Sequence, residues 1–120
     1  MDAYGPRVPI GGGAWSWKDF FKADRAGGMH AMRVAKFVVG LGLAAQARVT
    51  LKWFPGDREA RVIDIATEAG EAVSAHAVAR CVDLTLERSG ENFPVDNLVK
   101  VARWGHFKKV DCPWEQMRRI

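Results

Sequence analysis

Residues that build cross-links and metal centres are scarce in this 120-residue sequence, which has two cysteines and three histidines. Cys81 and Cys112 show no paired spacing, and no metal-ligand spacing joins them to a histidine, which argues against a zinc site. Cys81 falls within a helical pattern of apolar residues, so we expect it to be a buried thiol.

The sequence also lacks a signal peptide and any apolar run long enough to span a membrane. It shows no internal repeat, low-complexity segment or linker. We therefore expect residues 1–120 to form a single domain, with no membrane contact and with the reducing cytoplasm as the default location.

Tryptophan is abundant, and charge is unevenly distributed. Five tryptophans are many for this length, and aromatic residues are enriched at interfaces, so some are expected to face a partner. Residues 1–52 hold eight Lys/Arg against three Asp/Glu, residues 57–96 hold four against nine, and residues 97–120 hold six against two. Basic ends suit a phosphate, a nucleotide or a nucleic acid, but a solvated surface has the same composition. No nucleic-acid-binding motif accompanies them, so nucleic acid is the weakest of these partners.

One stretch stands out, Gly11-Gly12-Gly13-Ala14-Trp15-Ser16-Trp17-Lys18-Asp19. Its glycines allow positive φ and close approach of a ligand to the backbone. We expect Asp19 to cap a helix that starts at Phe20. A glycine-rich turn leading into a helix N-terminus favours anions, because free N–H groups and the helix dipole both attract negative charge. The stretch is not a Walker A loop, since it does not follow G-x-x-x-x-G-K-[ST].

Charged residues cluster around this turn. Lys18 is expected at its mouth, and Lys22 and Arg25 are three residues apart, so they should share a helix face. Asp24 lies among these cations, and a carboxylate beside a phosphate site indicates Mg²⁺, which binds through one or two carboxylates plus phosphate oxygens. A flexible loop capped by Asp19, with solvated lysines, is the structural alternative.

Apolar periodicity predicts helices and a hairpin. A first helix is expected from Phe20 to about Ala44, with its buried face at Val34, Phe37, Val38 and Leu41. Strands are expected at Arg48–Phe54 and Ala60–Thr67, a second helix at Glu71–Arg88 ended by Ser89-Gly90, and a third helix from Pro94. The order indicates an α+β fold, in which a small antiparallel sheet is covered on one face by two or three helices.

Two motifs carry a resemblance to a known family. The first reads Asp2-Ala3-Tyr4-Gly5 and then residues 11–25; the second reads Trp104-Gly105-His106-Phe107 and then Pro113-Trp114-Glu115. Both resemble the C-terminal part of S-adenosylmethionine synthetases (methionine adenosyltransferases), and the match covers essentially the whole chain. The chain departs from the family pattern at Trp17, where the family has glycine, and at Phe20-Phe21, where it has Pro-Ser or Pro-Thr. Packing of Trp104, Phe107 and Trp114 onto the sheet is the plain alternative for the second motif.

The resemblance implies a fold, a reaction and a set of site residues. The fold is one synthetase domain, with its bare sheet face buried against other domains or subunits. The reaction joins ATP and methionine into S-adenosylmethionine, with Mg²⁺ and K⁺, in an active site between two subunits. The implied site residues are Gly12, Gly13, Ala14 and Lys18 for ATP, Lys18 and Lys22 for catalysis, Lys22 for methionine, and Asp24 for Mg²⁺.

The resemblance also implies that other domains complete the site. The family's His-Pro-Asp and Gly-Ala-Gly-Asp-Gln-Gly segments have no counterpart in these 120 residues. We therefore expect the chain alone to be inactive, and to act as a homo-oligomer or with a chain that carries those domains. The alternative is a non-catalytic binding or regulatory module that associates with a full-length synthetase, which Trp17 and the many tryptophans favour.

Overall fold

The computed structural model describes residues 5–9, 13, 18–68, 73–92, 99, 103 and 115. Their elements are, in chain order, α1 (Ala23–Gly40), β1 (Ala47–Lys52), β2 (Arg61–Thr67), α2 (Ala75–Ala79) and α3 (Leu86–Asn92). The predicted α+β class is confirmed, with helices packed on one face of an antiparallel pair of strands. Gly12, Ala14, Trp17, Pro94 and the second motif except Glu115 lie outside the described residues.

The two strands form the predicted hairpin. They pair antiparallel from Ala47↔Thr67 to Lys52↔Arg61, with an irregularity after Thr50. Gly56 in the turn has a φ of 90°, a conformation that favours glycine.

The outer face of β1 is polar. Burial alternates along the strand, with the partly buried residues turned toward the core and the others exposed. The exposed set is Arg48, Thr50 and Lys52. The sheet face that the resemblance implies as an interface therefore presents polar side chains along β1.

Helix α1 places its core residues on one face and Gly27 against the hairpin. Val34 and Val38 are fully buried. A Cβ atom at Gly27 would lie 2.6 Å from two ring atoms of Trp53, so only glycine allows the helix to approach this ring so closely. Leu41, expected on the buried face, is 57% exposed because it follows the end of the helix.

The start of α1 differs from the prediction. The helix begins at Ala23 rather than Phe20, and Lys22 occupies the N-cap without a side-chain cap. The Asp19 carboxylate instead accepts the backbone N–H of Phe21 at 2.9 Å, within the turn before the helix. Asp19 therefore organises the entry to the helix but does not cap it.

The prediction of a single helix at Glu71–Arg88 is wrong, because this region contains two short helices. The chain leaves α2 after Ala79 and enters α3 at Leu86, and Ser89, expected near the helix end, lies inside α3. Cys81, expected to be a buried thiol, is exposed in the connection between the two helices.

Hydrogen bonds to another segment explain this break. The Leu84 carbonyl accepts the N–H of Ala60 at 3.3 Å, and the Leu86 N–H donates to the carbonyl of Arg58 at 3.0 Å. The Asp83 carboxylate also accepts the backbone N–H of Thr85 at 3.0 Å. Both sets of bonds offer this segment an alternative to helical pairing.

A buried polar pair joins α1 to α3. His30 Nε2 lies 2.6 Å from Ser89 Oγ, and both residues are buried. The Ser89 hydroxyl donates to the Thr85 carbonyl at 2.9 Å, so its oxygen accepts a hydrogen bond from His30 Nε2–H. This assignment places the proton of the neutral imidazole on Nε2.

Candidate functional site

Three of the predicted site residues, Gly13, Lys18 and Asp24, lie close together at the N-terminal end of α1. The Lys18 ammonium donates a hydrogen bond to Asp24 Oδ2 and forms an ion pair with it. Gly13 lies against the same carboxylate, because a Cβ atom there would be 3.2 Å from Asp24 Oδ2. Gly13, Lys18 and Asp24 therefore meet at one point.

Asp24 is an ionised and accessible carboxylate. The hydrogen bond from Lys18 is the main cause that lowers its pKa, and backbone N–H groups of the first helical turn lower it further, while partial burial opposes them. Its side chain is 45% exposed and that of Lys18 is 34% exposed. Both charges can therefore be reached from solvent.

A buried arginine fixes the lysine end of this pair. The Arg25 guanidinium donates to the Lys18 carbonyl at 2.5 Å and lies 4.4 Å from the centroid of the Phe20 ring. Arg25 is fully buried and Phe20 nearly so. The main chain at Lys18 is thus tied to the first turn of α1, on which Asp24 also lies.

Arg25 and Lys22 do not form the shared cationic face that their spacing predicted. Arg25 points into the protein, whereas Lys22 is exposed at the N-cap of α1. The buried position of Arg25 was missed because its partners, Phe20 and the Lys18 carbonyl, precede the helix, where helical periodicity carries no information.

The residues present suit a magnesium ion shared with phosphate. Mg²⁺ retains several waters and commonly takes one or two protein carboxylates together with phosphate oxygens. Asp24 supplies one ionised, half-exposed carboxylate. Within the described part of the chain, no group of three or more His, Cys, Asp or Glu converges on a metal position. The described side chains therefore do not form a metal site by themselves. Asp24 does supply the one carboxylate that a Mg²⁺ ion shared with phosphate oxygens requires.

Comparison with known proteins places the chain in a family. A family model for the C-terminal domain of S-adenosylmethionine synthetase matches residues 1–116. The chain belongs to the S-adenosylmethionine synthetase family. It is 34% identical to an S-adenosylmethionine synthase of Deinococcus radiodurans over 99% of this chain, and 29% identical to that of Mycoplasma pneumoniae over 98%. A solved S-adenosylmethionine synthetase from Campylobacter jejuni superposes over 97% of this chain with a TM-score of 0.79 and 28% identity.

The match covers one part of each relative. The chain spans 31% of the Deinococcus protein, 33% of the Mycoplasma protein and 33% of the Campylobacter chain. It therefore corresponds in sequence and fold to one domain of a synthetase. Within the part of the chain that the structure describes, no helix is both long and apolar enough to cross a membrane.

Proposed function

We propose that this domain supplies the glycine-rich polyphosphate loop of S-adenosylmethionine synthesis, binding ATP through residues 12–14 and Lys18. The observation that carries the proposal is the meeting of Gly13, Lys18 and Asp24 at the N-terminus of α1. A helix N-terminus with a nearby lysine favours an anion.

Each remaining site residue has a role in this proposal. Asp24 would hold Mg²⁺, which supplies positive charge that stabilises the triphosphate as it becomes a leaving group. Lys22, exposed at the N-cap, would reach the polyphosphate and the methionine. K⁺ is included because the family uses it, and none of the described residues is assigned to it.

The proposal requires further polypeptide. The chain spans about a third of its relatives, so the rest of the substrate site would come from other synthetase domains in a homo-oligomer or in an associated chain. Such a protein would work in the cytoplasm, where ATP and methionine are available. A non-catalytic module that joins a full-length synthetase would use the same contacts but would not bind triphosphate.

Triphosphate binding separates these two possibilities. We expect the chain to bind inorganic triphosphate, or a non-hydrolysable ATP analogue, weakly in the presence of Mg²⁺. The Lys18→Ala, Lys22→Ala double variant should lose at least about tenfold in affinity, since hydrogen bonds to charged groups each contribute about 1.5–3 kcal/mol. Titration calorimetry gives the affinity directly.

The control removes two positive charges elsewhere. Lys52 and Arg58 are both exposed and lie on the hairpin, so Lys52→Ala, Arg58→Ala changes net charge equally. Equal binding by the two double variants would assign any affinity to general charge and would reject the loop as the site.

A further inference from the structure

We propose that the Lys18–Asp24 ion pair makes the divalent cation and the polyphosphate bind cooperatively, so that each strengthens the other. This inference rests on the proposed function, because it concerns the same loop. It adds a property of the site that follows from the pairing of its two charged groups with each other.

The ion pair opposes either ligand alone. Lys18 is the group that a polyphosphate would use, and Asp24 is the group that a cation would use, but each is neutralised by the other. A polyphosphate that takes Lys18 leaves the Asp24 carboxylate unpaired beside a like charge. A cation that takes Asp24 leaves the Lys18 ammonium unpaired beside another positive charge.

The two ligands together remove both penalties. The cation neutralises Asp24, Lys18 is released to the phosphate oxygens, and the cation also contacts those oxygens. Because linkage is reciprocal, the factor by which the cation raises affinity for polyphosphate equals the factor by which polyphosphate raises affinity for the cation.

Neighbouring residues hold the main chain of Lys18 and Asp24 in place while the two side chains exchange each other for the ligands. Arg25 fixes the main chain of Lys18 through its carbonyl, and Asp24 lies on the first turn of α1. Gly13 places no side chain against the carboxylate, where a Cβ atom would lie 3.2 Å from Asp24 Oδ2. Only the lysine side chain has to move, and it is 34% exposed.

The decisive variant is Asp24→Asn. With Mg²⁺ removed by chelator, this change frees Lys18 and should raise affinity for inorganic triphosphate by about two- to fivefold, the range expected for an exposed ion pair. With saturating Mg²⁺ it should lower affinity below that of the unaltered chain. The effect of Mg²⁺ is compared between variants because Mg²⁺ also binds free triphosphate, and that contribution cancels in the comparison.

Asp19→Asn is the matched control. Asp19 is an exposed carboxylate in the same segment, but it accepts a backbone N–H rather than Lys18. It should leave the Mg²⁺ effect unchanged. A second measurement uses Mn²⁺ alone as a paramagnetic probe: Lys18→Met should strengthen the Mn²⁺-induced broadening of the Asp24 amide signal, because the competing ammonium is gone.

The outcomes separate the inference from the proposed function. If triphosphate binds in a Lys18-dependent manner but Asp24→Asn leaves the chelator-treated affinity unchanged or lowers it, the loop stands as the site and cooperativity is rejected. Unchanged Mn²⁺ broadening in Lys18→Met also rejects it. If triphosphate binds neither with nor without Mg²⁺, the proposed function and the inference both fall.

Discussion

At the scale of single residues, sequence reasoning found the charged groups of the site but not what holds them. Lys18, Asp24 and Gly13 are close together, as their positions in the sequence predicted. Arg25, predicted to share a helix face with Lys22, is fully buried instead. Its role could not be read from the sequence because it depends on a main-chain carbonyl and a ring in an irregular turn.

His30 gives a residue-scale prediction about acid stability. Burial is the main cause that lowers its pKa from 6.5 to about 4; the positive charge of Arg33 lowers it further, and Asp83 opposes the shift. Because the folded pKa lies below the unfolded one, the unfolded state takes up the proton first as pH falls. The free energy of unfolding should therefore decrease between about pH 6.5 and pH 4, by about 2 kcal/mol between pH 7 and pH 5.

Chemical denaturation at several pH values measures this dependence. His30→Gln keeps a side chain that can hydrogen-bond Ser89 but does not titrate, so the decrease between pH 7 and pH 5 should largely disappear. Carboxylates with lowered pKa values, such as Asp24 and Glu68, lose their contribution to the free energy of unfolding only at lower pH. They therefore do not affect the comparison between pH 7 and pH 5. An unchanged slope in the variant would place the titrating group elsewhere.

At the scale of elements, regular alternation predicted the hairpin well and helical periodicity predicted the following segment badly. β1 alternates partly buried and exposed residues over its whole length, and both strands were predicted to within one or two residues. Val78 and Val82 are spaced four apart, as in a helix, and both are buried, but a non-helical link begins between them. The short non-helical segment between α2 and α3 pairs with residues 58–60. Such a short segment does not disturb the apolar spacing of 3.6 residues from which a helix is predicted.

The contact between α1 and the hairpin gives the element-scale prediction. Gly27→Ala should destabilise the fold by up to about 2 kcal/mol, because overpacking against Trp53 costs about 1–3 kcal/mol and alanine regains about 1 kcal/mol of helix propensity. Thermal or chemical unfolding measures this difference.

A double variant isolates the clash at Gly27. Combining Gly27→Ala with Trp53→Phe removes the two ring atoms in contact, so the effects of the two changes should be less than additive. Additive effects of the two changes would show that the ring contact is not the cause.

At the scale of the whole molecule, the described residues expose apolar surface near the C-terminal end of α1, whereas the outer face of β1 is polar. A groove of about 530 Å³ runs along the helix and is lined by Ala31, Met32 and Ala35 among others. Val39, Leu41 and Leu43 are exposed near the helix end. Exposed apolar surface of this kind marks interaction sites or aggregation.

We therefore expect the 120-residue chain to form a dimer or higher oligomer at micromolar concentration. Analytical ultracentrifugation over a wide concentration range measures this directly. Val39→Glu should shift the distribution toward monomer, whereas Thr50→Glu, on the polar outer face of β1, should not. A clean monomer at all concentrations would contradict the expectation, and a larger effect of Thr50→Glu would place the interface on the sheet.

Catalysis is the last whole-molecule prediction. The chain covers about a third of its relatives, and the described site offers one lysine–carboxylate pair. The proposed function requires groups from other synthetase domains, and losing one donor of this kind costs on the order of 10²–10³ in rate. His30 cannot substitute, because it is buried and bonded to Ser89. We expect no measurable S-adenosylmethionine from ATP and methionine with the purified 120-residue chain.

A chromatographic assay of product at saturating magnesium and potassium tests this expectation. Activity should appear when a protein that carries the other synthetase domains is added, and it should then fall in Asp24→Asn but not in Asp19→Asn. The comparison matters because both variants lose one carboxylate from the same segment, while only Asp24 is paired with Lys18. Robust turnover by the 120-residue chain alone, abolished by Asp24→Asn, would show that this single domain holds a complete active site and that catalysis needs no further domain.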